Sequence, residues 1–323
     1  MTSPAIENSG YEGMDMLKEI LTGLTVPSFP PIRNDSSEHM DGVDSCRSSF
    51  QMIDMPILDM MGSNLYPFLI ACNGHLKRAA IRIVQTCSWR CIYLLPILQS
   101  INHEETVPST EQMEFMKSHG FKPLSQDLIY QIRRELNSGR LFHQGYDVDG
   151  DPVIYFRINP VTSIQQINID VIEYSALHII EHVLNIASSS RPSAVGGDGS
   201  PPSWSRLTLI IILEQTDKAD TKPSYWDSST FYPLRYHNLL QKLVPLFSQH
   251  YPERLKHVLV VQASSELGWW STLLGNFGAF AYFPSSRTRS KIHFIKNLSD
   301  LGRYVSLDAL LPELKFNFIE STS

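Results

Sequence analysis

The sequence predicts an α/β fold built on a mainly parallel β-sheet, with a small all-helical subdomain in front of it. Continuous apolar runs, as strands covered on both faces need, recur at 207–214 (LTLIIILE), 257–263 (HVLVVQA) and 291–296 (KIHFIK). Helical patterns lie between these runs, and strands that alternate with helices favour βαβ units and a parallel sheet. Residues 51–104 instead carry apolar residues at three- and four-residue intervals, which is typical of helices.

The first fifty residues differ from the rest in charge and composition. They hold eight acidic and three basic side chains, which accounts for −5 of the chain's net charge of −6. Pro, Ser, Asn and Asp are frequent, so we expect residues 1–50 to be a flexible acidic segment that could bind a protein partner. Within it, DMLKEILTGL could form a short amphipathic helix.

Composition also limits the class of protein. The 323 residues, 42% hydrophobic and 19% charged, are enough for one large domain and a small one. No long basic tract suggests a nucleic-acid partner. The N-terminus has no basic region followed by an apolar run, so no secretory signal is predicted and the cytoplasm is the expected compartment. We expect a monomer.

The helical subdomain is predicted to span residues 51–106, with a break between two helices at Asn73-Gly74. Cys87 and Cys91 lie four residues apart, on one face of the second helix. Further zinc ligands at a suitable spacing are missing nearby, so these two cysteines are interpreted as buried thiols.

The larger domain is predicted over residues 110–318, where strands and helices alternate. Besides the three buried strands, its predicted elements are helices at 111–118 and 125–137, two strands around a turn at 147–151, helices at 167–187 and 236–251, and a short closing helix at 306–314. The Ser-, Gly- and Pro-rich stretch 188–205 is expected to be a loop or a disordered insert.

One stretch between two predicted strands, LGWWSTLLGNFGAFAYF at residues 267–283, carries no charge. Its length equals the lower limit of about 17 residues for a membrane span, and Gly275 and Gly278 interrupt it. It could be a core helix, a membrane span, or a segment that moves between water and lipid. Seven basic and three acidic residues lie between positions 251 and 304, which favours an anionic membrane surface nearby. Ordinary solvated loop charges are the alternative.

Motifs of enzymatic chemistry are missing from the sequence. Neither G-x-S-x-G nor G-x-x-x-x-G-K-[ST] occurs, and Gly196–Gly199 does not connect a strand to a helix as a dinucleotide fingerprint would. The alternating carboxylates of Asp147–Asp151 resemble a calcium loop, but Pro152 stands where that loop needs Gly. A polar hairpin turn is the better interpretation. We therefore predict no catalytic residue and no metal site, and an enzyme of unknown chemistry is the weakest alternative.

Short motifs occur in a definite order along the chain. Tyr251-Pro-Glu-Arg-Leu255 precedes one buried strand, and Thr288-Arg-Ser-Lys-Ile292 opens the next. Upstream motifs are Gly150-Asp-Pro-Val-Ile-Tyr-Phe-Arg157, and Phe68-Leu-Ile-Ala71 with Ala79, Trp89 and Arg90; Leu311-Pro312 closes the series. In order and spacing, these motifs resemble the CRAL-TRIO lipid-binding domain family, which includes the fungal phosphatidylinositol/phosphatidylcholine transfer protein. The resemblance covers about residues 60–315.

The resemblance implies a sheet floor and a helical lid around an apolar pocket, which holds one phospholipid or another hydrophobic ligand and no cofactor. The lid, called the gate, would be the stretch 267–283, covering the lipid when closed and meeting the bilayer when open. Gate residues expected to contact the membrane are Trp269, Trp270, Leu273, Leu274, Phe277 and Phe280. We expect the pocket to be lined by Ile211, Leu213, Val260 and Gln262.

Family members that bind phosphatidylinositol contact its head group through an acid, a Thr and a Lys. The matching positions are Glu253, Thr288 and Lys291. Their chemistry fits, because Lys and Thr can bond phosphate oxygens and a carboxylate can accept from inositol hydroxyls. Arg287 and Arg289 are expected to form a basic membrane patch beside them.

The resemblance implies a lipid-binding or lipid-transfer protein that is not an enzyme. It would exchange phosphatidylinositol, the favoured ligand, or another hydrophobic molecule as a transient peripheral protein at cytosolic membrane surfaces. The family's R-A-R-K segment, whose basic residue supports the phosphate, reads Ala71-Cys72-Asn73 here and lacks that cation. The alternative is a scaffold or interaction module in membrane signalling that holds a lipid permanently or holds none.

Overall fold

The computed structural model describes residues 5–28, 53–102, 110, 114, 117–118, 124–158, 168–190, 206–213, 242–262, 286–295, 297–312 and 314. By compactness the chain divides into two units, Met1–Ile129 and Tyr130–Ser323. The predicted boundaries at residues 50, 106 and 110 stay predictions.

The N-terminal unit is mainly helical. Its helices are Ala5–Leu21, Ile57–Met61, Tyr66–Ala71, Leu76–Trp89 and Leu95–Asn102. Strands β1 (Thr25–Ser28) and β2 (Ile53–Pro56) form an antiparallel ribbon that the sequence did not predict. Residues 5–28 were expected within a flexible segment in which DMLKEILTGL (residues 15–24) could form a short helix. A helix is present, but it is longer, over Ala5–Leu21, and the strand β1 follows it. Leu17 and Leu21 are fully buried in the core of this unit, which explains why the helix is held in place.

The break between helices at Asn73-Gly74 is confirmed. Both residues adopt left-handed backbone conformations, with φ of 52° and 79°, which end one helix before the next begins at Leu76. Cys87 and Cys91 are fully buried, as predicted. Burial, reinforced by the neighbouring Cys91, raises the pKa of the Cys87 thiol to about 12, so this thiol stays protonated and inert.

The second unit contains a five-stranded sheet. Its strands are β3 (Leu141–Tyr146), β4 (Pro152–Ile158), β5 (Leu207–Leu213), β6 (Leu255–Gln262) and β7 (Ile292–Ile295), in the spatial order β3-β4-β5-β6-β7. β3 pairs with β4 in antiparallel fashion, and every other pairing is parallel. The predicted α/β fold with a mainly parallel sheet is therefore confirmed.

One face of this sheet packs against the C-terminal segment. Tyr155, Ile210, Leu259 and other inward residues of the strands meet buried residues of positions 301–314. The Tyr155 hydroxyl donates a hydrogen bond to the Ala309 carbonyl at 2.9 Å. Gly145, with φ of 66°, approaches the same residue so closely that an added Cβ would lie 2.6 Å from the Ala309 Cβ. This face is therefore closed by protein.

The opposite face is covered in part by the helix Ile169–Ser190, which begins and ends within three residues of the predicted 167–187. Ala176 and Val183 of that helix pack on Leu141, Ile154 and Leu207. Further along the strands lies a second apolar cluster, called here the apolar sheet face. Its residues come from β4, β5, β6 and β7: Phe156, Ile158, Leu209, Ile211, Leu255, Val258, Val260 and Ile292.

Candidate functional site

Glu253 stands on a turn that leads into β6. Its backbone is left-handed, with φ of 55°, a conformation that is uncommon outside glycine and often marks a functional position. The turn is anchored by Tyr251, whose hydroxyl donates a 2.6 Å hydrogen bond to Glu181 Oε1 on the helix Ile169–Ser190. Tyr251 and Glu181 are both buried, so their hydrogen bond holds the turn that carries Glu253 in place.

Two cations converge on the Glu253 carboxylate. Lys291 Nζ donates to Oε2 at 2.9 Å, and Arg287 Nη1 lies 3.4 Å from Oε1. Lys291 directly precedes β7, and its carbonyl accepts a 2.8 Å hydrogen bond from the Val258 amide in β6. Adjacent parallel strands thus bring together residues that lie 38 positions apart in sequence. We call Glu253, Arg287 and Lys291 the Glu253 cluster.

Thr288 lies in the one-turn helix Ser286–Arg289. Its carbonyl accepts a 3.2 Å hydrogen bond from the Lys291 amide, so the predicted Thr and Lys share one turn. Arg287 and Arg289 are both exposed on that turn. The structure therefore brings Glu253, Thr288 and Lys291 together, and it adds Arg287, which the sequence assigned to a membrane patch, to the same cluster.

The Glu253 cluster stands at one end of the apolar sheet face. Ile292 follows Lys291 directly and packs on that face, and Leu255, two residues after Glu253, also belongs to it. A charged end and an apolar surface are thus joined through neighbouring residues of β6 and β7. This arrangement suits a ligand with one polar and one apolar end.

The four residues expected to line a pocket occupy neighbouring strands in register. Ile211 pairs with Val260, and Leu213 pairs with Gln262, across β5 and β6. Ile211 and Val260 both belong to the apolar sheet face. For Leu213 and Gln262 the structure describes the backbone position only. Pocket lining stays a prediction for all four.

The gate lies outside the described residues. Positions 263–285 include Trp269, Trp270, Leu273, Leu274, Phe277 and Phe280. The insert 188–205 is described only as far as Ser190, the end of a helix. The proposed roles of these segments therefore stay predictions.

A second charged cluster, at the beginning of β6, was not expected from the sequence. Lys256 Nζ lies 2.7 Å from Asp147 Oδ2, 2.5 Å from Asp149 Oδ2 and 3.2 Å from Asp151 Oδ2. Thr208 also donates a 2.9 Å hydrogen bond to Asp147 Oδ2. We call these four charged residues the Lys256 cluster.

The three carboxylates of this cluster belong to the predicted hairpin turn, which is confirmed. Asp147 Oδ1 accepts hydrogen bonds from the Asp149 and Asp151 amides, both at 2.9 Å. The ammonium of Lys256 stands among the carboxylates where a calcium loop would hold its ion. Burial alone lowers the pKa of Lys256, but hydrogen bonds to Asp147 and Asp149 outweigh this effect and the pKa is raised.

The side chain of Lys256 reaches the turn because β6 contains a bulge. Leu207 pairs with Leu255, whereas Thr208 pairs with His257, so Lys256 is the extra residue between two pairings. A bulge redirects a side chain that strict alternation would place elsewhere. The sequence contained one signal, since three alternating carboxylates in a turn need a cation, but it did not indicate which residue supplies it.

His257 and His293 meet beside this cluster. Their Nδ1 and Nε2 atoms lie 3.2 Å apart, and the ring of Tyr304 contacts both imidazoles. Burial and then the neighbouring His293 lower the pKa of His257, and burial lowers that of His293. Both rings are therefore held neutral, and one donates a hydrogen bond to the other.

Within the described residues, no helix is long and apolar enough to cross a membrane. The same part of the chain contains no group of three or more His, Cys, Asp or Glu side chains placed to hold a metal ion.

A sheet closed by protein on one side, with an apolar surface and a charged end on the other, defines a domain for an amphipathic ligand. The family model of the CRAL/TRIO domain matches residues 136–315, more than half of the chain. The chain therefore belongs to the CRAL/TRIO domain family and is in general terms a lipid-binding protein, since domains of this family bind hydrophobic ligands. Proteins of the family are generally not enzymes.

Solved structures of other proteins also resemble this chain. One of the 43 matching chains is described as the crystal structure of Sfh5. It has a TM-score of 0.49 and 15% sequence identity, over 94% of this chain and 85% of that chain. The comparison with curated protein sequences finds no match.

Proposed function

We propose that this protein encloses one phospholipid, with phosphatidylinositol favoured, and exchanges it at cytosolic membrane surfaces. The observation that carries this proposal is the Glu253 cluster at the end of the apolar sheet face. The cluster would hold the polar head group, and the apolar face would hold the acyl chains. No catalytic step is needed for this function.

The apolar face has a suitable length for a lipid tail. From Leu255 to Val260, the first and last residues that β6 contributes to this face, the strand advances about 16 Å, at roughly 3.3 Å per residue. Half of the hydrocarbon core of a bilayer, about 15 Å, is comparable. Transfer of a tail from water to such a face gains about 0.8 kcal/mol per CH₂ group. An acyl chain that lies along β6 would thus stay in an apolar environment, as it does in the hydrocarbon core of a membrane.

The Glu253 cluster has donors for a phosphate and acceptors for hydroxyls. An ammonium has three donors and a guanidinium five, and among the described residues Glu253 takes one from Lys291 and one from Arg287. Further donors of both cations can therefore reach a phosphate, while the carboxylate can accept from inositol hydroxyls. Thr288 would supply a hydroxyl at the same turn.

Lipid loading tests the head-group assignment. The purified protein is mixed with phosphatidylcholine vesicles that carry phosphatidylinositol, the vesicles are removed, and the bound lipid is identified by native mass spectrometry. Lys291→Ala and Glu253→Ala should each lower phosphatidylinositol loading about ten-fold or more, as expected for one lost hydrogen bond to a charged group.

Arg303→Ala is the matched control. Arg303 Nη2 lies 3.4 Å from Asp300 Oδ1 in an exposed ion pair that does not belong to the Glu253 cluster. Equal loading by wild type and both site variants would show that the Glu253 cluster does not hold the head group. A lipid that stays bound and never exchanges would favour the scaffold alternative.

We extend the proposal to residues 267–283 as the gate over the apolar face. The stretch follows β6 in sequence, carries six aromatic side chains and no charge, and is followed by Arg287 and Arg289. The double change Trp269→Ala/Trp270→Ala should slow lipid exchange and weaken sedimentation with anionic vesicles, because interfacial aromatic residues would be lost. Unchanged exchange and sedimentation would contradict the gate, and an unchanged circular dichroism spectrum verifies the fold.

A further inference from the structure

Arg287 and Lys291 bind the same carboxylate but differ in exposure. The Lys291 side chain is 20% exposed and the Arg287 side chain 55%. Lys291 is fixed by the β6–β7 ladder and is followed by Ile292 on the apolar sheet face. Arg287 stands on the turn beyond it, where the Ser290 hydroxyl bonds its carbonyl at 2.8 Å. Lys291 is thus the inner cation and Arg287 the outer one.

This order of depth matches the order of groups in a phosphoinositide. The phosphodiester joins the glycerol, which stays near the tails, to an inositol ring that lies further out. With tails on the apolar face, the phosphodiester meets Lys291 first. Arg287 then stands further out, beside the ring, where a substituent of the ring can reach it.

Together with Arg289 on the same turn, the Glu253 cluster carries more positive charge than one phosphodiester neutralises. Two cations and one carboxylate leave the Glu253 cluster with a net charge of +1, and the exposed Arg289 on the same turn raises it to +2. A phosphodiester carries a single negative charge. A phosphate monoester on the ring adds about −1.5 to −2 at neutral pH. The guanidinium of Arg287 presents a planar fork that suits such a group.

We propose that Arg287 is a specificity-determining residue that makes the site prefer inositol head groups with a monoester phosphate on the ring over unphosphorylated phosphatidylinositol. The proposal rests on the proposed function, since it places the phosphodiester at Lys291. It moves Arg287 from a membrane patch into the ligand site and names phosphoinositides as the ligand class.

The test compares two lipids in one assay. Phosphatidylcholine vesicles carry either phosphatidylinositol or phosphatidylinositol monophosphate, and lipid bound to the protein is measured after the vesicles are removed. Wild type should load the monophosphate preferentially. Arg287→Ala should lower monophosphate loading about ten-fold more than phosphatidylinositol loading, whereas Arg287→Lys should keep part of the preference.

Several outcomes would overturn the proposal. Equal loss of both lipids in Arg287→Ala would mean that Arg287 acts on membrane charge or on the phosphodiester, and no loss of either would mean that it lies outside the site. Equal effects of Arg303→Ala, a change at the exposed Arg303–Asp300 ion pair outside the Glu253 cluster, would show a non-specific charge effect. If the corresponding water-soluble inositol phosphate bound as tightly as the lipid, the ligand would be a free phosphate. Failure of wild type to load either lipid would sink the proposed function and this inference together, whereas loading of phosphatidylinositol alone would sink only the inference.

Discussion

Glu253 and Lys256 stand three residues apart at the start of β6, and each is the centre of a charged cluster. Lys256 meets three carboxylates, whereas Glu253 meets two cations. The side chains of Lys256, Asp147 and Asp151 are 7%, 0% and 1% exposed. The Glu253 cluster faces solvent through Arg287.

We call the buried Lys256 cluster closed, because its charges are paired within the protein, and the partly exposed Glu253 cluster open. The Lys256 ammonium forms ion pairs with all three carboxylates, so this cluster joins the β3–β4 turn to β6 and its buried charges are paired within the protein. The two cations of the Glu253 cluster offer eight donors to one carboxylate with two oxygens. Among the residues that the structure describes, donors therefore remain for an anion from outside, which is why the open cluster and not the closed one is the candidate site.

The largest effect is expected when the closed cluster loses its cation. Lys256→Met should lower the free energy of unfolding by about 3–5 kcal/mol, because the buried carboxylates of Asp147 and Asp151 lose the buried cation that they share, although Asp151 keeps an ion pair with the more exposed Arg206. Urea denaturation followed by circular dichroism measures this change. Lys291→Met is the matched change in the open cluster, and it should cost less than about 1 kcal/mol because its ion pair is partly solvated.

Equal losses of stability in these two variants would contradict the comparison. Asp149→Asn is a further control, because the Asp149 side chain is 61% exposed and its removal leaves the two buried carboxylates paired with Lys256. We expect no measurable loss of stability for that change. If Lys256→Met does not fold, Thr208→Val, which removes one hydrogen bond to Asp147, provides a milder variant.

A smaller effect is expected from pH. The pKa values of His257 and His293 are lowered in the folded state, chiefly by burial, and the charge of Lys256 contributes at His257. The unfolded chain therefore takes up protons first as the pH falls below the ordinary histidine value of about 6.5. Stability is retained above that value and lost as the pH falls from it through the folded-state pKa values. His143 and His178 act in the same direction.

Denaturation midpoints measured across this window test the effect. His293→Gln should flatten the pH dependence, since one titrating group is removed and His257 loses a partner that repels its proton. An unchanged slope in His293→Gln would assign the acid sensitivity to other groups. Phosphatidylinositol loading at neutral pH is the control, and we expect it to be unaffected because neither His belongs to the Glu253 cluster.

Much of the fold could be predicted because strong local signals agreed. The apolar runs became β5, β6 and β7, and the helix after β4 lies close to its predicted position. The N-terminal segment was predicted only in part: the pattern of DMLKEILTGL indicated a short helix that includes the buried Leu17 and Leu21, but the frequent Pro, Ser and Asp residues of the segment gave no sign of its full extent or of β1. Average composition over fifty residues does not reveal a helix stabilised by packing.

Sequence motifs indicated the residues proposed for the candidate site but not their arrangement. The motifs identified Glu253, Thr288 and Lys291, and parallel pairing of β6 with β7 brings them together. The depth of Arg287 relative to Lys291 depends on the turn before β7, which the sequence does not define. The close approach of Gly145 to Ala309 could not be predicted from the sequence either, because it joins segments far apart in the chain.

The sequence by itself determined the α/β class, the parallel strands, the hairpin turn and the residue types of a charged site, because these follow from periodicity and local chemistry. Only the tertiary structure decided which charged side chains form ion pairs with each other. One bulge in β6 directs Lys256 into the carboxylates of Asp147–Asp151 and closes that cluster. The left-handed turn at Glu253 presents its carboxylate to Arg287 and Lys291, which lie in the segment just before β7. Register and backbone conformation are properties of the packed chain, and they separate the closed cluster from the open one.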